Sequence, residues 1–399
     1  MRDDYFVAAI ISGIVAKSLN FPIVVWATPF SSTLLNTIDY PTLMSPTFSS
    51  INQARTLTRL FQRYGWSDVA VISYAIRGDA APRCTLIVDD LQKLDDNNHN
   101  ITIIFHRELK NFNKDTLKNM LRTIRKMTRI IVVCIETAEG QRELMISIAE
   151  EGMDTSEYMW LMIETGRKGF GQVWKDTKMP PDGKDDLALR AARSFFVIDR
   201  IPLNASAEFV DNVKTKMREP PYNCTNCDDI DLSTSQVGEL GDSMLLYAIA
   251  LNRSIAAGLP NPTGSELVNF AKGSFQGFSG TVNINEKRTR DPLFLVYGLD
   301  SNDMQIIMMK ITEQLMNTST SLIQDLQPAS VIWANHGGSP PLNRPLCDYD
   351  GSACPPSFTE KYLAITLVAV IVPVFVVILA VAFGLRFSSI LPLSCRKRF

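Results

Sequence analysis

The sequence predicts a mixed α/β chain built around a parallel, doubly wound sheet and followed by one membrane-spanning helix. Three observations carry that prediction. Helical and strand patterns alternate for over 100 residues from about position 20, as stacked βαβ units require. One stretch, Leu363 to Leu385, is apolar and uncharged for 23 residues, and roughly 20 helical residues cross a bilayer core. The 399 residues, 46% hydrophobic and 21% charged, exclude a disordered chain and leave room for two or three domains. The net charge of −2 gives no reason to expect nucleic acid as a partner.

In chain order, Tyr5–Ala16 is apolar and has the length of a signal-peptide core. Its flank Arg2-Asp3-Asp4 is not positive, however, and Ile14 makes a poor cleavage site. The better reading is a buried or amphipathic helix running into a strand, Ile23–Ala27. Ser49 or Ser50 caps the next helix, in which Leu57, Leu60, Phe61 and Tyr64 fall on one face and Gly65 closes the last turn. Strands follow at Val69–Ser73, Ile101–His106, Ile130–Cys134 and Trp160–Ile163. Helices fall between them near 82–95, around Leu117–Ile124 and at Ala138–Glu150. The short connections suit right-handed crossovers.

After about 200 the pattern changes. Helices are expected at 205–217, 234–257 and 263–272, then a β-meander through Thr281–Asn285, Leu293–Leu299 and Met304–Ile311. Residues 313–361, rich in Ser, Thr, Pro and Gly, suggest a stalk. Pro373 should kink the membrane helix or loosen one turn. Arg386, Arg396, Lys397 and Arg398 follow the span with no acid, so the tail is expected in the cytosol and the rest outside.

Five N-x-[ST] sequons, at Asn100, Asn204, Asn223, Asn252 and Asn317, all precede the span, the side on which glycosylation occurs. Cys84, Cys134, Cys224, Cys227, Cys347 and Cys354 lie on that side too, with Cys395 alone in the tail. Six cysteines allow 15 pairings. Cys224 and Cys227 form a lone CxxC, best read as a tight disulfide in an oxidising compartment. Asp228, Asp229 and Asp231 beside it suit a following helix N-terminus better than Ca²⁺.

No catalytic constellation emerges. His99, His106 and His336 have no second ligand at metal spacing and read as surface residues. G-x-S-x-G, H-E-x-x-H and Walker patterns are missing. Gly166–Gly171 reads as a turn rather than an anion nest. Lys114, Lys118 and Arg122, with Arg125 and Lys126 nearby, form a basic stripe whose default is a solvated face. No cofactor or metal is expected.

Several segments together resemble one known family. Phe21–Trp66 (FPIVVWATPFSS…YPTLMSPTFSSINQARTLTRLFQRYGW) is similar to the ligand-binding region of receptor guanylate cyclases and natriuretic peptide receptors. The runs Asp182–Asp185 with Phe195–Asp199, Phe275–Asn285, and Ile332-Trp333…Gly337-Gly338…Cys347…Cys354-Pro355 resemble the nematode chemosensory branch. The resemblance implies a type I periplasmic-binding-protein-like fold of two lobes joined by three crossings. It also implies an extracellular peptide or small-molecule ligand, a homodimer, and a plasma-membrane receptor with one span.

On that frame residues 1–66 are a remnant of lobe 1 and 67–198 lobe 2. Residues 199–272 return to lobe 1 and 273–312 to lobe 2. A juxtamembrane stalk (313–361), a transmembrane helix (362–385) and a cytosolic tail (386–399) complete the chain. The first lobe is expected to be incomplete, leaving apolar faces exposed on Tyr5–Leu19 and on the returning helices. The resemblance also suggests pairing Cys84 with Cys134, whose separation is similar to a pair in natriuretic receptors. Cys347 and Cys354 would close a small loop. No cyclase domain follows the span, so the chain is not expected to be an enzyme. A short-tailed clearance or decoy receptor, and a neurotransmitter-receptor-like ligand-binding domain, are the alternatives.

Overall fold

The computed structural model describes residues 4–26, 30–76, 82–96, 101–164, 166, 168–201, 205–229, 237–312, 323–354 and 361–390. The chain divides into two compact units, Met1–Pro345 and Leu346–Phe399.

The first unit opens with helix α1 (Asp4–Leu19). Strand β1 (Ile23–Val24) then pairs in parallel with β2 (Leu43–Met44). Of the expected strand Ile23–Ala27, Ala27 lies outside the described residues; the strand itself covers Ile23–Val24, and the Val25 amide still donates to the Met44 carbonyl at 3.0 Å. Helix α2 (Ser50–Tyr64) begins in a Ser49/Asn52 capping box and ends at Gly65, whose φ of 68° suits a residue without a side chain. Then come β3 (Asp68–Tyr74), α3 (Arg83–Asp96), β4 (Thr102–Glu108), α4 (Lys114–Arg125), β5 (Ile130–Ile135), α5 (Ala138–Glu150), β6 (Met159–Ile163), α6 (Asp185–Ala192) and β7 (Phe195–Arg200).

β3 to β7 are mutually parallel and form the heart of an eight-stranded sheet. Every residue of β5 (IIVVCI) is buried, because helices cover both faces. Ile130, Val132 and Cys134 face α2 and α3. Ile131, Val133 and Ile135 face α4, α5 and α6.

Helices α7 (Ala207–Arg218), α8 (Val237–Ala256) and α9 (Gly264–Leu267) follow, then a hairpin of β8 (Gly273–Gly277) and β9 (Gly280–Ile284). β10 (Leu293–Leu299), β11 (Gln305–Thr312) and β12 (Ile323–Asp325) return antiparallel to the large sheet beyond β7. The short helix α10 (Ala329–Ile332) closes the first unit.

A smaller layer surrounds β1 and β2. Ala9 and Ile10 of α1 cover one side with Phe30, Leu34 and Tyr40. Leu246 and Ala250 of α8, with Val282 and Ile284 of β9, cover the other. Apolar side chains stay exposed here: Ile11, Ile14, Val15 and Leu19 on α1, and Leu240, Met244, Tyr247 and Ile255 on α8.

Three expected boundaries move. Helix α2 packs on the large sheet through Leu57, Leu60 and Phe61, so that layer begins before residue 67. The hairpin 273–284 does not belong to a meander with β10, since Val282 and Ile284 bury against α8; the large sheet resumes at Leu293. The segment 323–345 is not a stalk. Ile332, Trp333 and His336 are buried, and the polar composition around them concealed these anchors.

The second unit contains α11 (Leu363–Ile390), continuous through Pro373. Within it Leu363–Phe383 is long and apolar enough to cross a membrane, with a mean hydropathy of 3.1.

Candidate functional site

Three segments cross between the small and large layers. The first and third run side by side: the Ser45 amide donates to the Arg288 carbonyl at 2.9 Å and Arg290 to that of Thr47 at 3.3 Å. The second leaves the C-terminal end of β7, where the Ile201 amide donates to Leu293 at 3.1 Å.

These crossings wall a cavity of about 310 Å³. Phe48, Ile201, Pro292 and Leu293 give it an apolar side. Arg200, Glu239, Asn283 and Arg290 give it polar groups. The Arg200 guanidinium sits 5.6 Å from the Phe48 ring centroid, a cation–π arrangement. Arg290 donates to Ser279 Oγ at 2.8 Å and to the Thr281 carbonyl at 3.0 Å.

Asp242 fixes the hairpin wall. Its carboxylate accepts from the Phe278 amide at 2.6 Å and from the Ser279 amide and hydroxyl, with Arg290 3.9 Å away. Burial pushes its carboxyl above the ordinary value, against the pull of those donors. Gly277 is required because a Cβ there would overlap the Asp242 carboxylate. The Phe275–Asn285 motif is therefore the hairpin that closes this cavity.

Beside it, the C-terminal edge of the large sheet is held by carboxylates. Glu136 accepts the Ile76 and Cys84 amides, both at 3.0 Å. Asp199 accepts the Gly169 amide at 3.1 Å. Burial pushes the Asp199 carboxyl up, and burial together with Asp199 pushes Tyr297 up to about 12. The Gly166 amide donates to Glu164 and that of Phe170 to Gln305, so these amides of the 166–171 turn already have protein partners.

The remaining expected residues fall elsewhere. Cys84 and Cys134 are bonded with Cα atoms 5.4 Å apart, Cys224 and Cys227 with 5.8 Å, and Cys347 and Cys354 with 3.8 Å. Asn223 and Asn252 are exposed; Asn100, Asn204 and Asn317 lie outside the described residues, as do His99, Asp231, Arg167 and Cys395. Asp228 pairs with Arg218. No group of three metal-capable side chains occurs among the described residues. Three residues of the basic stripe are paired at the C-terminal end of α5: Lys114 and Lys118 reach Glu150, and Arg122 grips Glu151, just past the helix, at 2.9 and 3.1 Å. His106 lies on the edge strand beside Gln92. His336 is not a surface residue; it is 3% exposed. The Asp182–Asp185 motif clamps Arg142, which donates to Asp182 at 2.5 and 2.7 Å, to Asp185 at 2.6 Å and to the Trp174 carbonyl at 3.1 Å.

A two-layer α/β body joined by three crossings around a cavity is the architecture of a ligand-binding module. Residues 7–302 match the receptor family ligand binding region, and the chain belongs to that family. It is 27% identical over 380 residues to receptor-type guanylate cyclase gcy-4 of Caenorhabditis briggsae, covering 88% of this chain and 33% of that protein. It is 28% identical over 398 residues to receptor-type guanylate cyclase gcy-7 of Caenorhabditis elegans, covering 94% and 35%. Gcy-14 of the same species is 26% identical over 414 residues, covering 94% and 36%. The chain spans about a third of the length of these curated relatives.

Proposed function

We propose that this chain is the ligand-binding and membrane-anchoring part of a single-pass cell-surface receptor, with residues before α11 outside the cell and the basic tail in the cytosol. The ligand is a small molecule held in the cavity at the three crossings. The observation that carries this reading is the cavity itself. At about 310 Å³ it falls in the size range of small-molecule sites, and it joins an apolar wall to guanidinium, carboxylate and amide groups. A ligand touching Phe48, Ile201 and Arg290 at once would bear on all three crossings, and so on the angle between the layers.

Guanylate cyclization, named in the relatives, belongs on this reading to the part of those proteins that this chain does not span. The exposed apolar faces of α1 and α8 suit burial against further strands or a second copy of the chain. A transcript continuing past Phe399 into a cyclase domain supports a fragment; a stop there supports a short-tailed receptor.

The test is a thermal-shift screen of small water-soluble metabolites against the full chain in detergent. Hits should stabilise the wild type and lose that effect in Asn283→Leu, a change at an exposed rim position. Hits indifferent to every cavity substitution would overturn the assignment of the site.

A further inference from the structure

We propose that residues 326–345 form an acid-releasable strap, held across the N-terminal edge of the large sheet at neutral pH and let go, with the sheet intact, when His336 takes up a proton.

The strap is held by the burial of Ile332 and Trp333 in the core beside Tyr64, Trp66 and Phe196, and by a few polar contacts. The Leu326 amide donates to the Met308 carbonyl at 2.9 Å. Asn335 Nδ2 donates to the Leu299 carbonyl at 3.0 Å. Trp66 Nε1 donates to the Pro341 carbonyl at 2.8 Å. Asn343 Oδ1 accepts the Ser67 and Asp68 amides at 2.8 and 3.0 Å. None of these is a rung between the central strands β3, β5, β6 and β7, so losing them leaves those ladders whole.

His336 sits in the middle of this contact. Its ring lies edge-on to Phe196 of β7 and packs beside Trp333, each 5.8 Å away. It is 3% exposed, and neither ring nitrogen meets hydrogen-bond geometry with any described residue. Backbone groups of Ser156 and Tyr158 favour the charged ring, but burial outweighs them and brings the pKa down to about 4. Burying an imidazolium is costly even beside those two backbone groups, and releasing a short segment into water avoids that cost.

The elements packed against His336 carry other charged groups. Before β6 lie Asp154 paired with Arg190, and Glu157 paired with Arg129, which also covers Tyr158. Before β7 and after β10 lie Arg193 and Asp303, paired at 2.7 Å, and Asp300. At the start of β3 lies Asp68. Arg193 holds Asp303 below the ordinary carboxylate range, and burial pushes Tyr158 up, so neither changes charge between pH 7 and pH 5.

The sign follows from linkage. The released ring titrates near 6.5 and the docked ring near 4, so docking is favoured above 6.5 and weakens as pH falls. Between pH 7 and pH 5 the released fraction should rise about twentyfold.

Hydrogen exchange read by mass spectrometry on the full chain in detergent, corrected for intrinsic exchange, tests this. Peptides covering 326–345 should lose protection about twentyfold at pH 5 while β3, β5, β6 and β7 keep theirs. His336→Phe should abolish the pH step. Asn343→Ala should raise strap exchange at both pH values and keep the step. This second variant leaves the buried ring in place and so preserves the test if His336→Phe misfolds. Unchanged protection at 326–345, or loss together with the central strands, would overturn the proposal.

Discussion

Arg142 is the long-range clamp whose removal should be felt most clearly. Its side chain is 8% exposed, on α5, and it fastens a loop more than 30 residues away in sequence. Replacing it by Met keeps most of the apolar stem and removes every donor. Breaking a buried ion pair typically costs about 3–5 kcal/mol. Here Asp182 and Asp185 are 34% and 47% exposed, so water can solvate both carboxylates once the guanidinium is gone. The Trp174 carbonyl, on a side-chain-buried residue, loses its donor as well. An overall loss of about 2–3 kcal/mol is expected for Arg142→Met, and about 1 kcal/mol for Arg142→Lys, which keeps the charge but not the fork. Urea denaturation followed by tryptophan fluorescence measures both. The Arg142 guanidinium holds the Asp182 carboxyl well below the usual carboxylate range. A depressed carboxylate contributes stability above its unfolded value of about 3.9 and loses it as pH falls. The gap between wild type and Arg142→Met should therefore narrow below about pH 4. A variant within about 0.5 kcal/mol of wild type at pH 7, or a gap that widens in acid, would refute the clamp.

Other expectations can be checked directly. Replacing Cys84 and Cys134 together by Ser should cost about 2–4 kcal/mol; non-reducing peptide mapping that joined Cys84 to Cys224 would contradict the pairing. Gly277→Ala should destabilise by about 1–3 kcal/mol, because the new methyl overlaps the Asp242 carboxylate, and the same urea titration reads it. Asn223→Gln and Asn252→Gln should each remove one glycan-dependent gel shift, and an unshifted wild type after deglycosylation would dismiss both sites. A hydrophobic dye should bind the full chain less well after Ile14→Glu or Met244→Glu, since both side chains are more than half exposed; equal binding would place the accessible apolar surface elsewhere.

The large layer was legible because its signal is local. Six consecutive apolar residues in β5 can be satisfied only by helices on both faces, and the stripe Leu117, Met120, Leu121 and Ile124 turns one face of α4 inward. What failed to read from sequence was contact between distant segments. The alternation in Thr281–Ile284 announces a half-buried strand but not which layer it serves, and α8 rather than β10 took it. Ile332, Trp333 and His336 stand in a stretch dominated by Ser, Pro and Gly, so composition hid three buried side chains. The basic stripe on α4 looked free because Glu150 and Glu151 lie about 30 residues on. The cavity was invisible for the same reason: Phe48, Arg200 and Arg290 meet only after three crossings have formed.

The placement of these features constrains how binding can be relayed. The cavity lies at the C-terminal end of β7, at Arg200 and Ile201. The strap grips the opposite edge, at Ser67 and Asp68. Six strand residues separate the two ends of β7, or about 20 Å. That distance is filled by a sheet buried on both faces, and close-packed interiors shift as bodies rather than deform progressively. A ligand at the crossings therefore has little scope to act by bending the strands between it and the strap. On the proposed reading it would act by changing the angle at which the large layer is held, and the strap would follow that layer as long as it stays docked. On the two proposals together, ligand occupancy and strap docking would be separate controls, one set at the crossings and one at His336.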